Sequence, residues 1–273
     1  MLCFPVSFFC HPVSLSASFD EHVLLESPSA AMNTHIVHSY DEELKYLANR
    51  LAAMGGHAER MVDQAVLALV NADPGLARKV IADDDFLDET QREIDDKAIL
   101  VIGKRQPMAS DLREVIGTIR IAADLERVGD LGKSIAKRVV AVTEGRQPLS
   151  LFRGLQALAE LALTQLKEVL DVYASRSVDR LAFMRDRDDQ IDAMYTSLFR
   201  ELLTYMMEDP RNITPCTHLL FCAKNIERIG DHATNIAETI FYIVTGEQMP
   251  LERPKEDKSH KVVLSGGDAD GSQ

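Results

Sequence analysis

Ala122-Ala123-Asp124-Leu125-Glu126-Arg127-Val128-Gly129-Asp130 returns, little changed, as Ala223-Lys224-Asn225-Ile226-Glu227-Arg228-Ile229-Gly230-Asp231. The offset is constant (227 − 126 = 101) and persists downstream, where Ile135-Ala136 corresponds to Ile236-Ala237. Each copy lies in a run of helix-forming residues and sets a Glu and an Asp four apart, on one helix face. Like charges at that spacing oppose each other by about 0.2–0.5 kcal/mol on an exposed helix. A chain that keeps the pair twice needs a counter-cation, either a metal ion or an arginine. The repeat also divides the chain into two similar halves.

Helix signals surround both copies. Ser39-Tyr40-Asp41-Glu42 has the form of a capping box. From there Leu44, Leu47, Leu51, Met54, Ala58, Met61, Ala65 and Ala68 step by three and four, the stripe of a helix packed lengthwise against others. Asp73-Pro74 ends this helix and opens the next, with Asp as cap and Pro at the first helical position. The spacing predicts that the second helix runs to about Lys104 and the third from Ser110-Asp111 to just before Gly145. It predicts a fourth over about 149–174, a fifth over about 178–207 and a sixth from Thr214-Pro215 to about Gly246. No window alternates with period two for long enough to make a strand. Long helices joined by short connections lie antiparallel. The expected fold is all-α, two tandem three-helix bundles over 32–146 and 147–250, related by an internal pseudo-repeat. Residues 251–273, rich in Lys, Asp, Gly and Ser, read as a disordered tail.

A formal charge of −13 argues against binding nucleic-acid backbones, which takes clustered Lys and Arg. Hydrophobic residues make up 46%, enough for an ordinary core, while aromatics are sparse and Trp is absent. The cysteines (Cys3, Cys10, Cys216, Cys222) show no CxxC spacing and fit a reduced, cytoplasmic setting. The first Lys or Arg is Lys45, so the apolar run Phe4-Pro5-Val6-Ser7-Phe8-Phe9-Cys10 lacks the basic flank of a secretory signal. It is also too short to span a bilayer. Residues 1–31 read as an extension, disordered or a mis-assigned start, with translation beginning at Met32. The alternative is a signal segment cleaved near Ala30-Ala31.

The carboxylate pairs are the centre of any chemistry. Asp188 and Asp192 form a further pair on the fifth helix. In the first half Asp95 takes the matching place, with the neutral Gln91 four residues earlier. Glu59 and Asp63 share the same spacing, and Ser134 and Asn235 lie four residues beyond Asp130 and Asp231, as if to extend each stripe. Carboxylates converging from neighbouring helices make an all-oxygen site for Mg²⁺, Ca²⁺, Mn²⁺ or clustered iron. His57, His218 and His232 are scattered, without Cys or His partners at zinc-ligand spacing. A second reading is equally open: Arg127 and Arg228 would pair with carboxylates on a neighbouring helix, with Gly129 and Gly230 allowing close approach. The chain has no Glu-x-x-His of di-iron bundles, no phosphate-binding Gly-rich loop, no Gly-x-Ser-x-Gly and no nucleophile–base pair. Gly55-Gly56 reads as a loosening of the first helix. These residues point to binding and not to an enzyme.

The stretches Arg105-Gln106-Pro107-Met108-Ala109-Ser110-Asp111-Leu112-Arg113, Leu125-Glu126-Arg127-Val128-Gly129-Asp130, Leu203-Thr204-Tyr205-Met206-Met207-Glu208-Asp209-Pro210-Arg211 and Ile226-Glu227-Arg228-Ile229-Gly230-Asp231 occur in this order and spacing. Together they resemble the PhoU family of bacterial phosphate-transport accessory and regulatory proteins, over about Met32–Met249. The resemblance implies a cytoplasmic homodimer of two-bundle chains with divalent-cation or iron sites on the acidic stripes. Carried onto this chain, the ligands would be Glu126, Asp130 and Asp95 in one half, and Glu227, Asp231, Asp188 and Asp192 in the other. The family pattern carries an acid where this chain has Gln91, and a neutral amide holds a cation less strongly. The implied function is to restrain phosphate uptake and keep phosphate-starvation genes silent. The protein would be an adaptor between the importer's ATPase subunit (PstB-like) and a sensor histidine kinase (PhoR-like).

Overall fold

The structure, a computed structural model that describes residues 28–142 and 149–249, is built from six α-helices. They are α1 (Pro28–Val70), α2 (Pro74–Arg105), α3 (Ser110–Val142), α4 (Leu149–Ser175), α5 (Met184–Glu208) and α6 (Ile213–Thr245). No strand occurs among the described residues. The chain divides into two compact units, 1–39 and 40–273, and all six helices contribute to the second.

Several boundaries fall where local chemistry places them. The Asp73 carboxylate accepts hydrogen bonds from the backbone N–H groups of Gly75 (2.8 Å) and Leu76 (3.0 Å), capping α2 behind Pro74. Gly246 ends α6 in the left-handed conformation (φ 77°), where glycine carries no steric penalty. Pro215 sits in the first turn of α6, where its missing N–H has no helical partner to lose.

Three expectations are corrected. α1 starts at Pro28, so Ser39 lies inside the helix and is no cap; Ala30, Ala31 and Met32 are good helix formers and nothing after Pro28 breaks the run. The fifth helix is preceded by a 3₁₀ segment over Val178–Phe183. Its i,i+3 repeat sets Leu181 (1% exposed) and Met184 (4% exposed) on one buried side. α1 also passes through Gly55-Gly56 unbroken. A Cβ at Gly55 would lie 2.8 Å from Leu170 Cδ2, so this glycine lets α4 approach. The expected connection around Gly145–Pro148, most of the expected N-terminal extension and the C-terminal tail lie outside the described residues.

The stripe read on α1 is buried from Leu47 through Ala68, with Leu44 packed against its edge. α1 is tied to α2 by Arg50–Glu93 and by Glu43, which meets Lys97 (3.2 Å) and Arg105 (2.9 Å). The hydrogen bond from Arg105 holds the Glu43 carboxyl below its ordinary range. α3 and α6 pack antiparallel along a seam marked by Arg138–His218 (3.5 Å), Ser134–Asn225 (3.1 Å) and Asp124–His232 (2.9 Å). The helices that carry the repeated motif therefore join the two bundles.

Cys216 and Cys222 are free and buried on α6. Burial pushes the Cys216 thiol up and that of Cys222 to about 12. Since the thiolate is the reactive species, a Cys3→Ser/Cys10→Ser chain at pH 8 should release no colour from Ellman's reagent until guanidinium unfolds it. Prompt reaction of the native protein would show that α6 opens far more readily than its burial implies.

Candidate functional site

Two acidic helix faces answer to the two copies of the motif. On the first, between α2 and α3, a Cβ added to Gly129 would stand 2.1 Å from Leu87 Cδ1, so the missing side chain is what lets the helices close. Lys133, one turn further along α3, forms an ion pair with Asp84, which is 3% exposed. Burial pushes the Glu126 carboxyl up, and Asp130, Asp88 and Asp84 push it further against the partial relief of Arg127. Arg127 is 63% exposed and meets only its own helix here, at Glu126 (3.6 Å) and Asp130 (3.5 Å).

The second face, between α5 and α6, repeats the plan with other chemistry. Gly230 lies over Ile191 as Gly129 lies over Leu87. Thr234 Oγ1 donates to Asp188 (3.1 Å) and accepts from the buried Gln165 amide (2.9 Å). Glu227 is 5% exposed; Lys224 Nζ donates to its Oε1 (2.8 Å), while Oε2 is buried without a hydrogen-bond partner. Burial pushes the Glu227 carboxyl up; Lys224 counters this, while Asp231 and Asp192 add to it.

The acids that surround Glu126 on the first face are not the Asp95 expected there. Asp84 and Asp88 face Glu126, and they correspond to Asp188 and Asp192 at an offset of 104 (188 − 84 and 192 − 88), not 101. Asp95 lies about 10 Å further along α2 than Asp88 at 1.5 Å per residue. Its carboxyl is half-buried and pushed up by burial and by Asp96, and its Oδ1 has no hydrogen-bond partner. The sequence signal for Asp84 and Asp88 is their own i,i+4 spacing.

Other candidates separate. Ser134 accepts a hydrogen bond from Asn225 on the α3–α6 seam, away from the carboxylate face. Two steps of four residues turn a helix by about 80°, too far to stay on one stripe. Asp63 lines a groove with Gln156 and Glu160 of α4. His57 bonds the Asp83 carbonyl (3.2 Å), and His218 and His232 sit on the α3–α6 seam. Among the described residues no three His, Cys, Asp or Glu side chains stand together so as to hold a metal ion. A cleft of about 640 Å³ between α3 and α6 offers the Arg120 guanidinium against the Asp124 and Glu238 carboxylates, together with Asn235, Tyr242 and Gln248. That balance of charge does not suit inorganic phosphate, whose sites present an excess of donors. No helix among the described residues is long and apolar enough to cross a membrane.

The family model described as the PhoU domain matches this chain twice, over 51–139 and 155–240. The phosphate-specific transport system accessory protein PhoU homolog of Rhizobium meliloti (strain 1021) is 69% identical over 225 residues, 82% of this chain and 95% of that protein. Its counterpart in Caulobacter vibrioides is 47% identical over 83% of this chain and 98% of that protein. Among solved structures, PhoU from Pseudomonas aeruginosa superposes with a TM-score of 0.72 at 37% identity, covering 76% of this chain and 100% of that one. The phosphate transport system regulatory protein PhoU from Streptococcus pneumoniae gives 0.72 at 29% identity, covering 78% and 100%.

Proposed function

This chain belongs to the PhoU family, and we propose from that membership that it restrains phosphate uptake and keeps phosphate-starvation genes silent when phosphate is plentiful. It does so as a cytoplasmic, homodimeric adaptor between the ATPase subunit of a phosphate importer and a sensor histidine kinase, and not as an enzyme. The observation that carries the reading is the match to a named transport-system accessory protein along 95% of that protein's length. Long helices support it by presenting rigid faces: on α2 the exposed Ile99 and Leu100 lie among exposed acids such as Asp96 and Glu93, a surface suited to a basic partner with an apolar centre.

The test is secreted alkaline phosphatase, driven from a phosphate-starvation promoter, in cells that lack this gene and grow in ample phosphate. High expression, silenced again by a chain starting at Met32, is the expected result. Low expression in the deletion strain, with no rise on removing any related gene, would remove negative regulation from the reading.

A further inference from the structure

The repeat relates the α3–α6 seam to itself, and the two ends of the seam are finished differently. Arg138 beside His218 (3.5 Å) corresponds to Thr239 beside Gly117 (239 − 138 = 101, 218 − 117 = 101). A Cβ on Gly117 would stand 3.5 Å from Thr239 Cγ2, so the second pair lies side by side as the first does. At the first end side chains cover the seam. The Arg138 guanidinium lies 4.2 Å from the Phe221 ring centroid, and Asn225 donates a hydrogen bond to Ser134 (3.1 Å). At the other end Arg120 stands in the place of Phe221 (221 − 120 = 101), and Asp124 with Asn235 in that of Asn225 with Ser134 (225 − 124 = 101, 235 − 134 = 101). Thr239 is shorter than Arg138, and the cleft of about 640 Å³ opens there. Asp124 is engaged by His232 (2.9 Å). No hydrogen bond or ion pair among the described residues engages the Arg120 guanidinium, the Glu238 carboxylate or the Tyr242 hydroxyl.

We propose that this cleft binds a free dibasic amino acid, of the chemistry of arginine. Its walls carry two carboxylates, Asp124 and Glu238, and one guanidinium, Arg120. A dibasic amino acid carries the opposite set, two cationic nitrogens and one carboxylate. The ligand carboxylate takes the fork of Arg120 in a bidentate contact, and the two nitrogens meet the two acids. Arg120 and Asp124 are one turn apart on α3, about 6 Å along the axis at 1.5 Å per residue, and Glu238 lines the other wall on α6. The Tyr242 ring and the methyl groups of Ala123 and Thr239 offer apolar surface to an alkyl stem. Each simpler ligand leaves a charge unanswered. A neutral zwitterion leaves one carboxylate unpaired, a diamine leaves Arg120 unpaired, and an inorganic anion meets two like charges. The cleft volume falls in the range of small-molecule sites, about 300–1,000 Å³. This inference does not rest on the adaptor reading, because it concerns a small molecule and the isolated chain.

The test is isothermal titration calorimetry of the full chain with L-arginine and, separately, with agmatine, the same molecule without its carboxylate. The wild type is expected to bind L-arginine with a Kd below about 1 mM, and agmatine at least about tenfold more weakly. Arg120→Ala should weaken L-arginine by about tenfold and bring it level with agmatine. Glu238→Gln should weaken both ligands alike. Arg120 is exposed and Glu238 half-buried, so neither change opens the core, and circular dichroism identifies any variant that fails to fold. Arg120→Phe/Thr239→Arg, which copies Phe221 and Arg138, should cover the cleft and abolish binding. The proposal is overturned if L-arginine shows no saturable binding with a Kd below about 1 mM, or if agmatine binds the wild type as tightly. It is equally overturned if a folded Glu238→Gln binds L-arginine as the wild type does, or if the covered double variant still binds it.

Discussion

Leu125→Ala should lower the stability of the protein by about 2–5 kcal/mol, the range for truncating a fully buried leucine. Leu125 is 0% exposed and precedes Glu126 in the repeated motif, on the helix that packs against α2 on one flank and α6 on the other. Its neighbours Ile121, Ala122 and Val128 are also fully buried and belong to long helices, so the site has little freedom to collapse into the space left behind. Lost transfer free energy and a residual cavity then act together. For a chain of this size the melting temperature should fall by roughly 4–20 °C, taking about 2–4 °C per kcal/mol. Leu100→Ala, at a leucine 50% exposed on α2, is the control and should stay within about 0.5 kcal/mol of the wild type. Thermal and urea unfolding would measure both. If Leu125→Ala melted with the control, α3 could not be the packed centre of the molecule.

The sequence carried the existence, number and order of the helices because those depend on local chemistry. Asp73-Pro74 caps and starts α2 wherever it stands, and the buried positions of α1 repeat with the period of the helix itself. The start of α1 is not legible at Ser39, because a capping box can also lie within a longer helix; only what precedes it decides, and Pro28 begins the helix. The face of each acidic pair was legible from its spacing. What was not legible is the axial register of α2 against α3, which nothing local records. It is set by Gly129 seating over Leu87, against Gly230 over Ile191, and by connections that differ by three residues between the halves (129 − 87 = 42, 230 − 191 = 39). The motif's offset of 101 sets Leu87 and Gln91 opposite Asp188 and Asp192 (188 − 87, 192 − 91), and Asp95 answers to Asp192 only at an offset of 97 (192 − 95), so neither alignment leads to Asp84 and Asp88. The same gap hides the counter-cation. Arg127 adjoins Glu126 in sequence, yet its side chain reaches solvent, whereas Lys133, distant from Asp84 in the chain, meets it across the helix interface.

That interhelical pair is where a single charge matters most to stability. Lys133→Met removes the ammonium and leaves the Asp84 carboxylate, 4% exposed at its side chain, with a buried negative charge beside Asp88, Glu126 and Asp130. The expected cost in metal-free protein is about 3 kcal/mol, the lower end of the range for orphaning one member of a buried pair, because the lysine side itself keeps 26% exposure. The double variant Lys133→Met/Asp84→Leu should recover most of that loss, since replacing both partners by apolar groups removes the uncompensated charge. The pH profile separates the charge from simple packing. The hydrogen bond to Asp84 raises the Lys133 pKa above its ordinary 10.5, so folding favours the protonated lysine. Its contribution is full below about pH 10 and is lost as pH rises through the folded-state pKa. The gap in unfolding free energy between wild type and Lys133→Met should therefore stay constant from about pH 7 to 10 and narrow above that. A gap that persists undiminished at higher pH would assign the effect to the packing of the lysine stem. A double variant no more stable than Lys133→Met would show that the buried carboxylate is held by something other than this ammonium.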